Sequence, residues 1–235
     1  MSPREYRLYH YTECEKLLSI LDDSGFGPAF CAEDYSWMTG GSPCYLMVPM
    51  VCFCDMPAEL SREHQKAYGS STIGLRKDWG KKRGLTPVLY VCDGSPVTNI
   101  FRPLADSIRK GRLNASEFGS FWGLLPYLKP VTGFFPGGEH NGRHYTECKD
   151  FDEEMEWRFV PTAFQDFIYS VSLFEANERQ EAKRISEQTR PSLLGFTETD
   201  VEVIIVPTDA VRMCIIGRLP VYKGRVKTWP EIDLK

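Results

Sequence analysis

The sequence lacks the motifs that identify several common enzyme classes. It contains no Gly-x-Ser-x-Gly segment, no phosphate-binding Walker loop and no Gly-x-Gly-x-x-Gly segment, so it gives no support to an α/β-hydrolase, a P-loop NTPase or a Rossmann enzyme. Its eight cysteines include no Cys-x-x-Cys pair, which leaves a zinc ribbon and a thioredoxin motif without support. Several of these cysteines lie in apolar runs, as reduced core cysteines do.

The chain also has no excess of positive charge and no long apolar run. Its formal net charge is −4 at pH 7, which argues against a nonspecific nucleic-acid binder, although lysines and arginines concentrate between residues 76 and 83. The charged N-terminal segment MSPREYRLYH has no apolar signal core, and no apolar run reaches the length of a membrane span. We therefore expect a cytoplasmic protein that makes no membrane contact.

What the chain does contain is a hydrophobic content of 42% over 235 residues, which suffices for one large domain with a sizeable core. Short strands and helices alternate in its central stretch. A Tyr-Gly pair ends the first of these helices, because glycine accepts the positive φ of a helix end. The elements predicted there are a strand at 51–54, a helix ending at Tyr68-Gly69, a strand at 72–75, a helix at 77–83 and a strand at 87–92.

Elements on both sides of this stretch complete an α+β pattern. Near the N-terminus, Thr12 with Glu15 three positions later predicts a capping box that opens a helix. Two long segments rich in glycine and proline, 25–45 and 129–150, are predicted as irregular loops. The other predictions are strands at 6–10, 46–54, 155–160, 200–206 and 212–217, and helices at 95–110, 116–128 and 164–194.

Two aromatic residues stand where they could carry chemistry, and each has an ordinary structural alternative. His10 follows the first predicted strand, where its ring can hydrogen-bond a ribose hydroxyl or can be buried with its polar atoms satisfied by the backbone. Tyr68 at the helix end can stack on a flat ring such as nicotinamide or adenine. Its alternative is a packed aromatic side chain beside Gly69.

Glu156 is a third candidate, on a strand that alternates apolar and polar residues. A carboxylate at this point can stabilise an oxocarbenium-like transition state at ribose C1′. Alternatively, Glu156 and Arg158 share the solvent face of an edge strand and form a weak ion pair. Because Asp152, Glu153 and Glu154 lie close by, we expect these acidic groups to raise one another's pKa.

A metal site is not predicted. His140, His144 and Cys148 are spaced so that they would fall on one face of a helix. However, glycines at positions 137, 138 and 142 disfavour a helix in this segment. The spacing of these three residues also matches no closed zinc site, so we expect no bound metal.

Several stretches of the chain resemble a family of bacterial proteins. The stretch YHYTECEKLLSIL near the N-terminus, FCDMP with the YG, IGL and PVLYV segments that follow it, and DEEMEWRFVP later in the chain are similar to AbiGi-like abortive-infection proteins. The late strand DVEVIIVP fits the same family. In addition, the order histidine, tyrosine, glutamate resembles that of ADP-ribosyltransferases of the diphtheria-toxin and poly-ADP-ribose polymerase type.

The resemblance implies an ADP-ribosyltransferase-like fold, which is a split β-sandwich of two small antiparallel sheets with surrounding helices. It implies one such domain over residues 1–235, with a helical insertion at about 95–130. NAD would lie in the cleft between the sheets and would be consumed as the substrate. The protein would then serve a bacterial toxin–antitoxin or phage-defence system by modifying a nucleic acid or a protein.

The same resemblance assigns catalytic roles to two residues. Glu156 would stabilise the oxocarbenium ribose and orient the acceptor. Tyr68 would stack on the nicotinamide, and Tyr90 is its rival for that role. These assignments follow the order of the residues along the chain.

The cofactor-binding residues implied by the resemblance begin with the His-Tyr-Thr segment. His10 would hold a ribose hydroxyl of NAD, and Tyr11 and Thr12 would line the site beside it. Arg76 or Arg158 would meet the pyrophosphate. Tyr68 and Tyr90 would complete the NAD contacts.

A binding function without turnover is the alternative. The same scaffold would then act as an antitoxin or sensor that holds a toxin, an antitoxin or a nucleotide. Co-purification with a protein partner, without nicotinamide release, would distinguish this function from the enzyme.

Overall fold

In the computed structural model the chain has an α+β fold. The structure describes residues 7–40, 44–109, 115–135, 139–140, 143–144, 147–161, 169–170 and 193–233. Within these residues no helix combines the length and the apolar character that crossing a membrane requires. The helices are α1 (Cys14–Asp23), α2 (Arg62–Tyr68), α3 (Lys77–Lys82), α4 (Pro96–Arg109), α5 (Ala115–Leu124), α6 (Asp209–Arg218) and α7 (Trp229–Asp233).

Most of the longer strands belong to a single sheet. The strands are β1 (Arg7–Thr12), β2 (Gly25–Phe26), β3 (Ala29–Asp34), β4 (Tyr45–Cys54), β5 (Ser71–Arg76), β6 (Thr86–Pro87), β7 (Leu89–Val91), β8 (Leu128–Pro130), β9 (Thr132–Gly133), β10 (Glu139–His140), β11 (Arg143–His144), β12 (Lys149–Asp150), β13 (Glu156–Phe159), β14 (Tyr169–Ser170), β15 (Leu194–Gly195), β16 (Val201–Val206) and β17 (Val226–Thr228). The main sheet runs β17-β16-β5-β1-β4-β13-β6, and β3 and β14 also pair with β4.

The main sheet is joined at its centre by a single residue pair. Strand β1 pairs with β5 along its whole length, from Arg7 to Thr12. Its only pair with β4 is Tyr9 opposite Cys54. Strand β4 continues on its own with β13 and β3 as partners. The two halves of the sheet therefore separate beyond Tyr9. The assignment of the fold to the ADP-ribosyltransferase class stays a prediction.

Gly69 fixes the end of α2 against the end of β1. Its φ of 122° lies in a region that other residues rarely adopt. A Cβ atom at this position would lie 2.5 Å from the carbonyl oxygen of Thr12 and 2.8 Å from the backbone nitrogen of Glu13. Only glycine allows this close approach of two backbone segments. Tyr68, the last residue of α2, is positioned by the same contact.

The core explains why the apolar patterns form these elements. One face of the sheet and the buried side of α1 share a single apolar cluster. On β16, Val201, Ile204 and Val206 enter this cluster, whereas Val203 and Ile205 face a second cluster on the other side of the sheet. Both faces of this strand are therefore buried, which accounts for its almost continuous apolar sequence.

Most of the predicted elements are confirmed. Strands β4, β13 and β16 and helices α3 and α4 begin and end within two residues of the predicted bounds. The helix predicted to end at Tyr68-Gly69 does so, although it is preceded by a separate 3-10 turn. Most of the helix predicted at 164–194 lies outside the described residues. Within this range, residues 169–170 form the strand β14 and not a helix, and Leu194 begins β15.

Several of the predicted elements are wrong. The segment 129–150, predicted as an irregular loop, contains the short paired strands β9 to β12. The helix predicted at 116–128 ends at Leu124. Thr12 is the last residue of β1 rather than a helix cap; α1 begins at Cys14 behind Glu13, without a side-chain cap. The segment 25–45 contains β3, which gains six backbone pairs with β4. The predicted strand at 212–217 is part of helix α6, because the Thr208 hydroxyl accepts a hydrogen bond from Val211 N–H and caps a helix there.

Candidate functional site

A cavity of about 630 Å³ is lined by the parts of β1 and β4 that separate from each other. Its other walls come from α1, from β3 and from the segment that precedes β13. Five of the predicted site residues line this cavity, namely His10, Tyr11, Thr12, Tyr68 and Glu156. The fold thus brings together residues that are up to 146 positions apart in the sequence.

The cavity has an apolar part and a strongly polar part. Phe26, Phe30 and Met47 are among its apolar lining residues. Lys129 and Glu154 supply charge at the polar part. A cavity of this size, mostly apolar and with a few fixed polar groups, is typical of sites that bind a small molecule.

His10 bridges the two separating strands. Its Nδ1 atom lies 2.8 Å from the carbonyl oxygen of Cys52 on β4. Because a carbonyl only accepts, Nδ1 must carry the proton, and Nε2 is left as an acceptor. The ring packs edge-on against Phe26 and is tilted against Phe53, at centroid distances of 5.0 and 5.5 Å. Burial lowers the pKa of His10 to about 4, so the ring is neutral at pH 7.

We expect His10 to make stability depend on pH. The unfolded chain takes up a proton at His10 near pH 6.5, whereas the folded chain does so only near pH 4. The free energy of unfolding should therefore fall as pH drops from 6.5 to 4, by about 1–3 kcal/mol. Urea unfolding of the wild type and of His10→Gln across this range measures the effect. An identical pH profile for the two proteins would contradict it.

Glu156 is held by two cations. Its Oε1 atom accepts a hydrogen bond of 2.8 Å from Arg158 Nε. Its Oε2 atom accepts from Arg158 Nη2 at 3.0 Å and from Lys129 Nζ at 2.9 Å. The backbone N–H of Glu156 donates to the hydroxyl of Tyr90. All three charged side chains are buried.

Arg158 connects Glu156 to a third carboxylate. Its guanidinium is completely buried and donates to Glu33 Oε1 at 2.8 Å. It also donates to the carbonyl oxygen of Pro126 at 2.6 Å. Arg158 thus ties together strands β3 and β13 and the turn that precedes β8. Its Nε and Nη2 atoms bind the two carboxylate oxygens of Glu156, and this bidentate arrangement suits the planar guanidinium group.

Glu154 is the other carboxylate beside Lys129. Lys129 Nζ donates to Glu154 Oε2 at 2.7 Å. The hydroxyl of Tyr68 donates to Glu154 Oε1 at 2.6 Å, and Lys149 donates to the same oxygen. Tyr68 is therefore fixed by its hydroxyl group, and Lys149 lies 5.4 Å from the centre of its ring.

Six charged residues form what we call the buried ionic cluster. It combines three carboxylates with three cations, so its formal charges balance. Such a cluster is stable only while every member keeps its partners, because an unpaired buried charge is costly. The members are the buried residues Glu33, Lys129, Glu154, Glu156 and Arg158 and the partly exposed Lys149 at the edge of the cluster.

Comparison with known proteins identifies the family. The family model described as "Putative abortive phage resistance protein AbiGi, antitoxin" matches residues 25–207. The chain belongs to the AbiGi family. A curated relative, "Abortive phage resistance protein AbiGi" from Lactococcus lactis subsp. cremoris, is 28% identical over 189 residues, which is 72% of this chain and 76% of the relative. No solved structure matches the chain.

The AbiGi match includes one part of the site and leaves out another. Every member of the buried ionic cluster lies inside the matched range. His10, Tyr11 and Thr12 precede it. The resemblance to the AbiGi family stated from the sequence is thereby confirmed, whereas the roles of individual residues in NAD binding stay predictions.

Three of the residues predicted to bind NAD in this AbiGi-family chain, Arg76, Tyr90 and Arg158, do not line the cavity. Arg76 is half-exposed, and its guanidinium pairs with Asp78 at 3.0 Å. Tyr90 accepts the backbone hydrogen bond of Glu156 from outside the cavity wall. Arg158, the other candidate for the pyrophosphate, is committed to Glu33 and Glu156.

The pKa values of Glu154 and Glu156 are lowered, whereas the sequence predicted that they would be raised. Burial alone would raise the pKa of Glu154 and Glu156, and each raises the other's, but the nearby cations outweigh these effects. The charge of Lys129 holds the pKa of Glu154 at about 2. Arg158, followed by Lys129, holds the pKa of Glu156 well below its usual range. The expected net rise of the pKa is therefore wrong for these two residues, because the cations lower the pKa by more than the acidic neighbours raise it.

Sequence reasoning missed Lys129 and Glu33. Lys129 sits in the run YLKP, and Glu33 lies in a segment predicted to be a loop. Neither has a motif around it that distinguishes a buried lysine or glutamate from a solvated one. In the structure, Glu33 lies two residues from Cys31 on the face of β3 that meets Arg158, and the β3 sequence AFCAED has no alternation that would have shown this.

Proposed function

We propose that this chain acts in abortive phage resistance as an antitoxin that binds and neutralises a protein toxin. The match of the AbiGi family model, whose description names an antitoxin, carries this proposal. The relative from Lactococcus lactis bears the name of an abortive phage resistance protein. Both agree with the alternative function that the sequence leaves open, which is binding without turnover.

The geometry of the site supports a binding role as well. Glu154 accepts from three donors, and Glu156 accepts from Arg158 twice and from Lys129 once. Carboxylates that are held by several donors in this way serve to hold a scaffold together. A general acid or base with a pKa near 7 is not among them.

Bacterial growth tests the antitoxin function. Cells that produce the chain alone should grow normally. A tagged form should recover a protein partner from the host strain, and production of that partner alone should arrest growth. Producing the chain and this partner together should restore growth. Growth arrest caused by the chain alone would instead identify it as the toxin.

ADP-ribosyl transfer from NAD is the second candidate function. It is favoured by a specific observation, which is that His10, Tyr68 and Glu156 line one cavity. His10 offers its Nε2 atom as an acceptor for a ribose hydroxyl. Glu156 remains ionised and offers negative charge where a ribose cation would develop. A nucleic acid or a protein would be the acceptor.

A nicotinamide-release assay tests this second function. Purified protein, labelled NAD and a bacterial lysate are combined, and labelled nucleic acid is separated from labelled protein. Label in one of these fractions, absent with Glu156→Gln, is the expected result. Because Glu156 belongs to the buried ionic cluster, thermal unfolding must first establish that this variant is folded. His10→Gln, which leaves the cluster intact, serves as the second variant. Absence of both release and NAD binding would leave only the antitoxin function.

A further inference from the structure

The ammonium group of Lys149 lies among three aromatic rings. The distance from its Nζ atom to the ring centre is 5.2 Å for Phe135, 5.4 Å for Tyr68 and 5.8 Å for Phe151. The same ammonium group donates a hydrogen bond to Glu154 Oε1. The faces of aromatic rings attract cations, and cages of such rings recognise organic ammonium ligands. We call the three rings and the Glu154 carboxylate the ammonium cage.

The ammonium cage belongs to the wall of the large cavity. All four of its residues line the cavity, and Phe135, Phe151 and Glu154 are buried. Lys149 itself is not among the described residues that line the cavity, and its side chain keeps 26% of its exposure. A ligand in the cavity would therefore meet the cage, whereas Lys149 fills the cage and still reaches solvent.

Lys149 can leave the cage without disturbing the backbone. Strand β12 pairs with β9 through main-chain groups, and the lysine side chain is a long and flexible stem that can turn into solvent. Glu154 would keep Lys129 and the Tyr68 hydroxyl as donors. However, the buried ionic cluster would then hold three carboxylates and only two cations. Because such an imbalance of buried charge is costly, the group that replaces Lys149 must carry a positive charge.

We propose that the ammonium cage is a binding site for a small organic ammonium ion, and that Lys149 fills it as an internal ligand when no such ion is bound. This inference depends neither on a toxin partner nor on NAD. The rings attract the charge of an alkylated ammonium group, and their apolar surface suits its methyl groups. The adjoining cavity of about 630 Å³ has room for the rest of the ligand. A neutral ligand of the same shape would leave the buried carboxylates short of one cation.

Choline and the neutral alcohol in which a carbon atom replaces its nitrogen atom are a matched pair of probes. Lys149→Ala removes the tethered competitor, so it should bind choline at least about tenfold more tightly than the wild type in titration calorimetry. Lys149→Arg keeps an internal cation and should bind choline as weakly as the wild type. Lys77→Ala removes a lysine that pairs with Asp55 and packs on one ring away from the cavity, and it should not change the affinity.

A change in the cage wall tests whether the rings recognise the charge. In the Lys149→Ala protein, Phe135→Leu keeps an apolar side chain but removes one aromatic face, and it should weaken choline binding by about tenfold. Phe134→Leu makes the same change at the neighbouring half-exposed ring, which lines the cavity outside the cage, and should have little effect.

The wild type provides a test that needs no folded variant. Choline should expel Lys149 into solvent and raise its rate of acetylation, as measured by mass spectrometry, whereas the neutral alcohol should not. Lys77 is the internal control, and its rate should stay constant. The inference is overturned if the two probes bind equally, if neither the wild type nor Lys149→Ala binds choline, or if choline binds without changing the acetylation rate of Lys149.

Discussion

Replacing Arg158 by methionine should lower the free energy of unfolding by about 3–5 kcal/mol. The guanidinium has no solvent exposure and is the partner of both Glu33 and Glu156. Methionine fills much of its volume but leaves these two carboxylates buried with a missing partner. The cost of an uncompensated buried charge exceeds that of the lost ion pair. Equilibrium unfolding in urea measures the change.

Arg212→Met is the matched control for this prediction. Arg212 also pairs with two carboxylates, Asp209 and Glu231, but at the surface. Its removal should cost far less, because water and salt screen exposed pairs. In a double variant, Arg158→Met with Glu156→Gln, part of the lost stability should return. Equal losses for Arg158→Met and Arg212→Met would show that burial of the cluster is energetically unimportant.

Replacing Gly69 by alanine should destabilise the protein by about 3 kcal/mol or more. The methyl group would meet the backbone of Thr12 and Glu13, which cannot swing away as a side chain could. Its φ of 122° adds strain for any residue with a Cβ atom. Relief requires α2 to move away from the end of β1, which would also shift Tyr68 in the cavity.

The variant Gly84→Ala separates the cost of the backbone contact from the cost of the positive φ. Gly84 also has a positive φ, of 81°, but a Cβ atom there would lie in open space. The Gly84→Ala variant should therefore lose only about 1 kcal/mol of unfolding free energy, which is the cost of the positive φ alone. Thermal unfolding of the two variants gives the contribution of the close approach as their difference. If Gly69→Ala is no less stable than Gly84→Ala, the contact between α2 and β1 does not constrain the fold.

The sequence predicted the parts of the fold that depend on local pattern. The apolar run at β16 and the alternation at β13 each identify a strand without reference to the rest of the chain. Helix α3 follows from a short polar segment closed by glycine. The error at 212–217 arose because a short apolar run fits a strand and a buried helix equally well. The capping threonine at 208, four positions earlier, was the deciding signal.

The site depended on contacts that no local pattern records. His10, Tyr68 and Glu156 were found because each follows or forms a recognisable element, and the fold places all three at one cavity. The surroundings of Glu156 were not found. Lys129 reaches it from 27 positions away and Glu33 reaches Arg158 from 125 positions away. The sign of the pKa shift of Glu156 depends on Arg158, two positions away, and on the distant Lys129, and not on its acidic neighbours.

The strand order of the main sheet has a consequence for the newly made chain on the ribosome. Strand β5 is complete at residue 76, but its neighbour β16 begins at residue 201. At about 5–20 residues per second, synthesis of the 124 residues between them takes about 6–25 s. Throughout that time β1 and β5 can pair with each other, while the outer edge of β5 has no partner of its own. Nascent chains therefore pass through a state that presents an apolar strand edge. Chaperones and strands of other chains can both bind such an edge.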